Sequence, residues 1–189
     1  MHSFYFFWKK GEVLEAILNQ FKISIVNDVS GGNYDSKLIE VTARNLLPYI
    51  LMHTKGTPQT ADSYAVYKDL IPEILEWFDK QIKYCMNNGI LRWNIIIDPG
   101  FGFAKNVEQN VEIIKNLERF KELGYPLFVG FSNKRFVKKH FGDEKCTNSF
   151  GNSCLTTMCV QKGANFIRVH DEELIKTISF CREIYRNNK

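Results

Sequence analysis

Polar and charged side chains stand at the ends of five apolar runs in this sequence. They are Asn27, His53, Asp98, Ser132, Lys134, Arg168 and His170. A buried carboxylate such as Asp98 can accept two parallel N–H bonds from an amidine-like edge, which holds a flat heterocycle in its plane. Arg168 with His170 suits a phosphate or diphosphate, because the guanidinium fork matches phosphate oxygens. The set therefore indicates a site for a donor-rich ring that bears an anionic group.

Each of these residues also has a structural interpretation that involves no ligand. Asp98 precedes a proline and could simply start a turn, and Lys134 could belong to a solvated basic run over residues 134–139. We interpret His53 as structural rather than catalytic, because a single histidine beside a methionine specifies little. The histidines lack a metal-binding spacing, and Ser132 lacks the GxSxG context of a serine nucleophile.

The elements that must position these residues repeat in one order: a short apolar run, a polar glycine-containing turn, then an amphipathic stretch of helical period. The five runs predict strands at residues 23–29, 49–53, 94–98, 126–131 and 165–170. A sixth unit is predicted at the start, with a strand over residues 4–8 and a helix over 12–19.

Two of the intervening helices carry clear signals. Residues 70–86 form an amphipathic segment that ends at an Asn-Asn-Gly sequence. Asn106 followed by Gln109 has the spacing of a capping box. Apolar residues then recur at helical spacing, at Val107, Val111, Ile114 and Leu117.

Strands that alternate with helices imply a parallel sheet, either open and doubly wound or closed as a barrel. The runs are apolar throughout, as expected for strands covered on both faces. In a doubly wound sheet only the strand ends at the switch point need carry chemistry, whereas in a barrel every strand end faces one mouth. Polar ends on all five runs therefore favour a TIM barrel. At 189 residues the chain is short for a complete one, which needs about 250.

Composition and charge exclude several other classes of protein. The chain is 44% hydrophobic and 24% charged, with a net charge of +4, which is typical of a globular domain. Its basic residues interleave with acidic ones, which argues against nucleic-acid binding and against a membrane-binding basic patch. Five cysteines without a CxxC pair fit a reducing compartment. We therefore expect a soluble cytoplasmic protein, with an organellar location left open.

Five segments resemble the strand-end motifs of dihydropteroate synthase, in that family's order and spacing. They read IVNDVSGG at residues 25–32, LMHTKGTP at 51–58, DPGFGFAK at 98–105, VGFSNK at 129–134 and RVHD at 168–171. The resemblance implies an incomplete (β/α)8 barrel whose strands correspond to roughly the third to eighth units. It also implies a single pterin-binding domain over residues 1–189.

The resemblance further implies a transferase of folate biosynthesis. Members of the family condense 6-hydroxymethyl-7,8-dihydropterin diphosphate with 4-aminobenzoate and release diphosphate. By motif, Asn27 and Asp98 would bind the pterin ring. Lys134 would contact the oxygen of the pterin ring and line the side of the site where 4-aminobenzoate binds. The remaining substrate-binding residues would be Phe103, Gly130 and Ser132, with Arg168 and His170 on the diphosphate. Asp98 and Lys134 are the residues expected to be catalytic.

The sequence also departs from the family's pattern. The family's first two units would precede this chain; the first supplies an asparagine that helps to bind Mg²⁺ on the diphosphate, so the expected Mg²⁺ has no protein ligand here. Phe7 or its neighbour stands where the family places an aspartate, and Asn133 replaces an arginine. Because two strands contribute about 10 to 20 kcal/mol of apolar burial, we expect a monomer of this fragment to be marginally stable. A truncated gene model, a pseudogene product or a piece that pairs with another chain would each fit.

Two alternative functions remain open at this point. A non-catalytic pterin-binding remnant or partner subunit would explain Phe7 and the absent units. A methyltetrahydrofolate-using methyltransferase shares the pterin-binding barrel, although Ser132, Lys134, Arg168 and His170 suit aminobenzoate and diphosphate better. A homodimer, or fusion to a pterin pyrophosphokinase domain, is the partnership that the resemblance implies.

Overall fold

The computed structural model describes residues 6–7, 10–56, 64–131, 134–141, 145–169 and 172–187. Six strands alternate with seven α-helices in these ranges. The strands are β1 (Phe6–Phe7), β2 (Ile25–Asp28), β3 (Tyr49–Met52), β4 (Ile95–Asp98), β5 (Phe128–Gly130) and β6 (Phe166–Arg168). The helices are α1 (Gly11–Leu18), α2 (Ser36–Arg44), α3 (Leu70–Asn87), α4 (Val107–Lys115), α5 (Arg135–Phe141), α6 (Lys145–Gln161) and α7 (Glu172–Asn187).

The strands lie side by side in the order in which the chain makes them. Strands β1 to β4 pair in parallel, and so do β5 and β6. A parallel bridge between Ile97 and Leu127 joins the two groups. A doubly wound sheet reverses its strand order at the switch point, so an unbroken sequential order confirms the barrel arrangement.

The predicted strands are all present, and those from β2 to β6 are shorter than their apolar runs. Strand β2, for example, covers Ile25–Asp28 rather than residues 23–29, because the ladder hydrogen bonds end where the chain turns into its loop. Of the first predicted strand, Phe6–Phe7 pairs with Ile25–Val26. The remaining residues of that prediction, and the Phe7 side chain, lie outside the described part of the structure.

Two apolar layers hold the sheet. The residues of β2, β3 and β4 are all buried, as predicted for strands covered on both faces. One side of the sheet packs on the helices through a large core, and the other side packs on itself in a small interior cluster. That cluster consists of Ile25, Ile50, Ile96 and Phe128, which is the side-chain layer expected inside a barrel.

Strand β6 departs from the expectation of burial on both faces. Phe166 is 44% exposed and Arg168 is also exposed, while Ile167 between them is half-buried. Strand β5 covers one edge of β6, and no strand among the described residues covers the other. An edge strand keeps solvent contact on the side that its missing neighbour would shield.

Helix α4 shows both the value and the limit of the sequence pattern. The capping box predicted at Asn106 and Gln109 is confirmed, because each side chain accepts the other's backbone N–H. Val111, one of the apolar residues at helical spacing, is 37% exposed. Asn110 is buried in its place, where its amide bonds the preceding loop. No helix in the described ranges is long and apolar enough to span a membrane.

The turn after β4 requires glycine at residue 100. Gly100 has a φ of +72°, and a Cβ built on it would lie 2.0 Å from the carbonyl oxygen of His53. Gly124 has nearly the same φ, +74°, but its nearest neighbour would be an Arg92 nitrogen at 3.6 Å. The two glycines therefore share a backbone conformation and differ in the space around them.

This difference predicts unequal costs for alanine. Gly124→Ala should lower the free energy of unfolding by about 1 to 2 kcal/mol, the cost of a left-handed conformation. Gly100→Ala should add about 1 to 3 kcal/mol of steric strain to that cost, because the His53 carbonyl must move. Urea denaturation of both variants measures the difference, and equal losses would contradict the tight packing at Gly100.

Candidate functional site

The interior face of the barrel changes from apolar to polar toward the carboxyl ends of the strands. Side chains alternate along a strand, so the positions two residues after the interior isoleucines and phenylalanine also face inward. On β2, β3, β4 and β5 these positions are Asn27, Met52, Asp98 and Gly130, and Arg168 of β6 pairs with Gly130. One periodic rule therefore builds both the apolar floor and the polar layer above it.

A cleft of about 380 Å³ of empty space, partly open to solvent, lies above this floor. Its lining residues are Asn27, Val29, Met52, Asp98, Phe103, Phe128, Gly130, Lys134 and Arg168. Six of the eight substrate-binding residues predicted from the sequence are in this set. The other two, Ser132 and His170, lie outside the described residues, as does Asn133. Four strands and two loops therefore bring the six predicted residues to one cavity.

Asp98 is the acidic group of the cleft and is only 7% exposed. Burial raises its pKa to about 6, although the Gly100 amide and the cations Lys134, Lys105 and Arg168 oppose that rise. One oxygen, Oδ1, accepts the Gly100 N–H at 2.8 Å, so the turn predicted at this position exists. Asp98 therefore serves both as a turn-forming residue and as part of the cleft wall.

Lys134 enters the cleft beside Asp98. Burial lowers the pKa of its ammonium to about 8, against the attraction of Asp98 and together with the repulsion of Arg168. Its Nζ lies 3.9 Å from the centre of the Phe103 ring, in a cation–π contact. These contacts distinguish Lys134 from the solvated basic run to which the sequence could also have assigned it.

Asn27 contributes an unpaired acceptor to the same wall. The residue is 6% exposed, and its Oδ1 has no hydrogen-bond partner within the described structure. A buried polar atom without a partner is unfavourable by about 1 to 3 kcal/mol. A ligand that donates an N–H to this oxygen would remove that cost.

Arg168 lies at the exposed end of the cleft, on the edge strand β6. Gly130 pairs with it on β5, and a Cβ at residue 130 would come within 3.3 Å of the Arg168 Cβ. The glycine therefore leaves space beside the arginine. An arginine at an open mouth, close to a second cation, attracts anionic groups.

The loop at residues 99–105, called here the β4 loop, is held by residues that the sequence patterns did not single out. Asn110 accepts the Gly102 N–H at 2.8 Å and donates to the Lys105 carbonyl at 3.2 Å. The Tyr67 hydroxyl donates to the Ala104 carbonyl at 3.0 Å. Asn110 falls at helical spacing from Asn106, one position before Val111, which is the only signal that sequence reasoning could have used.

Lys105 and His53 form a buried pair below the cleft. The sequence favours a structural role for His53, and its ring is buried against Trp77 with ring centroids 4.9 Å apart. Burial and the neighbouring lysines lower its pKa well below the usual value, so the imidazole is neutral. Lys105 has no sequence signal beyond its place in the DPGFGFAK motif, yet its Nζ lies 2.9 Å from the His53 Nδ1.

The described residues do not provide a metal site. Within them, no group of three or more His, Cys, Asp or Glu side chains is placed to hold an ion. The donor set of the cleft is also wrong for Mg²⁺, which prefers oxygen ligands, because two cations stand beside its single carboxylate. The Mg²⁺ that the resemblance implies therefore has no fitting ligand set in this part of the chain.

Comparison with known proteins identifies the family. A family model described as pterin binding enzyme matches residues 9–170. The dihydropteroate synthase of Synechocystis sp. is 37% identical over 155 residues, which cover 82% of this chain and 54% of the relative. The chain thus spans about half the length of that relative.

Solved structures agree with the sequence matches. Dihydropteroate synthase from Thermus thermophilus in complex with 4-aminobenzoate has a TM-score of 0.84 at 26% identity, covering 97% of this chain and 69% of the Thermus chain. Its complex with 6HMPPP has a TM-score of 0.86 at 27% identity, covering 95% and 71%. The predicted resemblance to dihydropteroate synthase and the incomplete barrel are both confirmed. On the match of the family model over most of its length, the chain belongs to the pterin-binding enzyme family.

Proposed function

We propose that residues 1–189 form a single pterin-binding domain with the activity of dihydropteroate synthase. The amine of 4-aminobenzoate attacks the methylene carbon of 6-hydroxymethyl-7,8-dihydropterin diphosphate. A C–N bond forms, the C–O bond to diphosphate breaks, and the amine loses one proton. The free thiols of Cys85, Cys154, Cys159 and Cys181 fit a reducing compartment, and we place the reaction in the cytoplasm.

The observation that carries this proposal is a pair of buried acceptors in one cleft. The Asp98 carboxylate has a second oxygen beside the one that Gly100 occupies, and the Asn27 Oδ1 has no partner among the described residues. A pterin presents an amino group and ring N–H groups along one edge, which is the donor pattern that two such acceptors need. Sequence similarity to dihydropteroate synthases supports the same ligand.

The cations suit the other parts of the two substrates. Lys134 lies over the Phe103 ring, where it can donate to the oxygen of the pterin ring and face the 4-aminobenzoate. Arg168, with His170, is assigned to the diphosphate. When diphosphate leaves, the methylene carbon gains positive character and the leaving oxygens gain negative charge. Groups fixed in advance around these charges lower the barrier, and no protein nucleophile is needed.

Substitution of one aspartate in the cleft and one on the surface separates the assigned site from the rest of the protein. Asp98→Asn should weaken binding of 6-hydroxymethyl-7,8-dihydropterin diphosphate about 10- to 100-fold, because a charge-assisted hydrogen bond contributes about 1.5 to 3 kcal/mol. Asp79→Asn is the matched control, since Asp79 is exposed on α3. Isothermal titration calorimetry measures both affinities.

The outcomes of that titration also separate the candidate functions. Binding with release of diphosphate in the presence of 4-aminobenzoate supports the synthase. Binding without turnover supports the non-catalytic pterin-binding protein, and no binding by the wild type rejects both. Equal effects of the two aspartate substitutions would reject the role of Asp98.

A second prediction concerns the pH dependence of kcat/KM. The pKa of Asp98 is about 6, so the acceptor carboxylate is lost as the pH falls below that value. The pKa of Lys134 is about 8, so its charge is lost as the pH rises above that value. The profile should be bell-shaped, with limbs near these two values. Lys134→Arg, which does not titrate in this range, should remove the part of the alkaline limb near pH 8, and an unchanged limb would reject the assignment.

A third prediction concerns stability. The folded pKa of Asp98, about 6, lies above its ordinary value of 3.8, so the folded protein binds the proton more tightly than the unfolded chain. Ionised Asp98 therefore costs stability above pH 6, and this cost disappears below about pH 4. Asp98→Asn should raise the free energy of unfolding at pH 8 by about 1 to 3 kcal/mol, and the gain should vanish at pH 4. Thermal unfolding at both pH values tests this, and a lower Tm at pH 8 would contradict it.

A further inference from the structure

The Lys105 ammonium is buried away from the cleft and is fully engaged. The residue is 6% exposed and does not line the cavity. Its Nζ lies 2.9 Å from the His53 Nδ1, 2.9 Å from the Phe103 carbonyl oxygen and 3.1 Å from the Gly100 carbonyl oxygen. A longer contact of 3.4 Å reaches the His53 carbonyl. Three N–H donors thus meet three close acceptors, which is the full capacity of an ammonium.

The charges around this ammonium are unusual for a buried lysine. Asp98 stabilises its charge, while Lys134 and Lys55 oppose it and burial opposes it most, which together lower its pKa to about 7. The His53 imidazole is neutral, because burial and the neighbouring lysines lower its pKa. Its Nδ1 must then accept from Lys105, so its own proton resides on Nε2.

The acceptors of Lys105 belong to the two segments that form the cleft wall. His53 follows β3 directly, and its backbone N–H donates to the Asp98 carbonyl at 2.8 Å. Gly100 holds Asp98 Oδ1 through its N–H, and the Phe103 ring carries the Lys134 contact. The ammonium therefore links His53, at the end of β3, to Gly100 and Phe103 of the β4 loop. The position of Gly100 fixes Asp98, and the position of Phe103 fixes its ring.

We propose that Lys105 is a positioning residue, whose ammonium, shared by His53 Nδ1 and the carbonyls of Gly100 and Phe103, holds the β4 loop in its ligand-binding form. Its effect on ligand binding rests on the proposed pterin function. The contacts of Lys105 with His53, Gly100 and Phe103, called here the clamp, do not. Loss of the ammonium leaves three buried acceptors without donors. The β4 loop then loses its side-chain link to His53 after β3, and the Asp98 carboxylate and the Phe103 ring lose their alignment.

The first arm of the test uses no ligand. The chain has four histidines, so ¹⁵N correlation spectra of the imidazole rings can be assigned with His→Gln variants at residues 2, 140 and 170. In the wild type, His53 should carry its proton on Nε2 from pH 6.5 to 9, and its Nδ1 resonance should shift with a midpoint at about pH 7 as Lys105 deprotonates. Lys105→Met should abolish that midpoint. A proton on Nδ1, or the same titration in the variant, would overturn the proposal.

The second arm measures affinity for 6-hydroxymethyl-7,8-dihydropterin by calorimetry at pH 6.5. Lys105→Met should bind at least about tenfold more weakly than the wild type, and Lys105→Arg should restore part of the loss. Lys162→Met is the matched control, because Lys162 also joins two segments, through the Lys115 carbonyl and Glu118, but is remote from the cleft. Its affinity should stay within about twofold of the wild type.

The results of the second arm decide between positioning and mere stability. Circular dichroism and the Tm establish that each variant is folded. A folded Lys105→Met that binds as tightly as the control variant would overturn the proposal, even if its Tm is lower. If that variant does not fold, the titration of the wild-type His53 ring decides whether the clamp exists. A wild type that binds no pterin defeats the proposed function, while the imidazole spectra still decide whether the clamp exists.

Discussion

The arrangement at the mouth of the barrel depends on one buried carboxylate, Asp98, which can still ionise there. Asp98 loses most of its hydration, which alone would favour the protonated form. Three cations and the Gly100 amide restore part of the lost stabilisation, so that the pKa of Asp98 remains at about 6. The same proximity lowers the cost of burying Lys134 and Lys105, whose charges Asp98 supports. Asp98 and each cation thus support one another's charge, while the cations repel one another.

Such a cluster needs a rigid frame, and the barrel supplies it by alternation along the strands. The interior layer of Ile25, Ile50, Ile96 and Phe128 is apolar and buried. The layer above it is polar, and it is reached without any break in the strands. Rigidity of the loops comes from a different source, namely buried side chains that satisfy loop carbonyls and amides. Asn110, Tyr67 and Lys105 perform that role for the β4 loop.

The cleft combines one buried acceptor without a partner and one exposed arginine. The Asn27 Oδ1 is buried without a partner among the described residues, and Arg168 lies exposed on the edge strand β6. Folding alone does not favour a buried acceptor without a donor or an arginine held close to a second cation. Both residues line the same cavity, so a ligand with donors at one end would pair with the Asn27 oxygen, and negative charge at its other end would be attracted by Arg168.

The sequence by itself determined the strands, their parallel order, the barrel and the polar strand ends, because these follow from local periodicity and from rules that link strand and helix. It also named six of the residues that line the cleft, since a barrel forces successive strand ends to one mouth. Only the tertiary structure decided the exposure of Phe166 and Val111, the burial of Asn110 and the pairing of Lys105 with His53. That pair is separated by 52 positions in the chain, and no local pattern records such a contact. Burial likewise set the protonation of Asp98 and Lys105, because a side chain's desolvation is a property of the folded interior and not of its type.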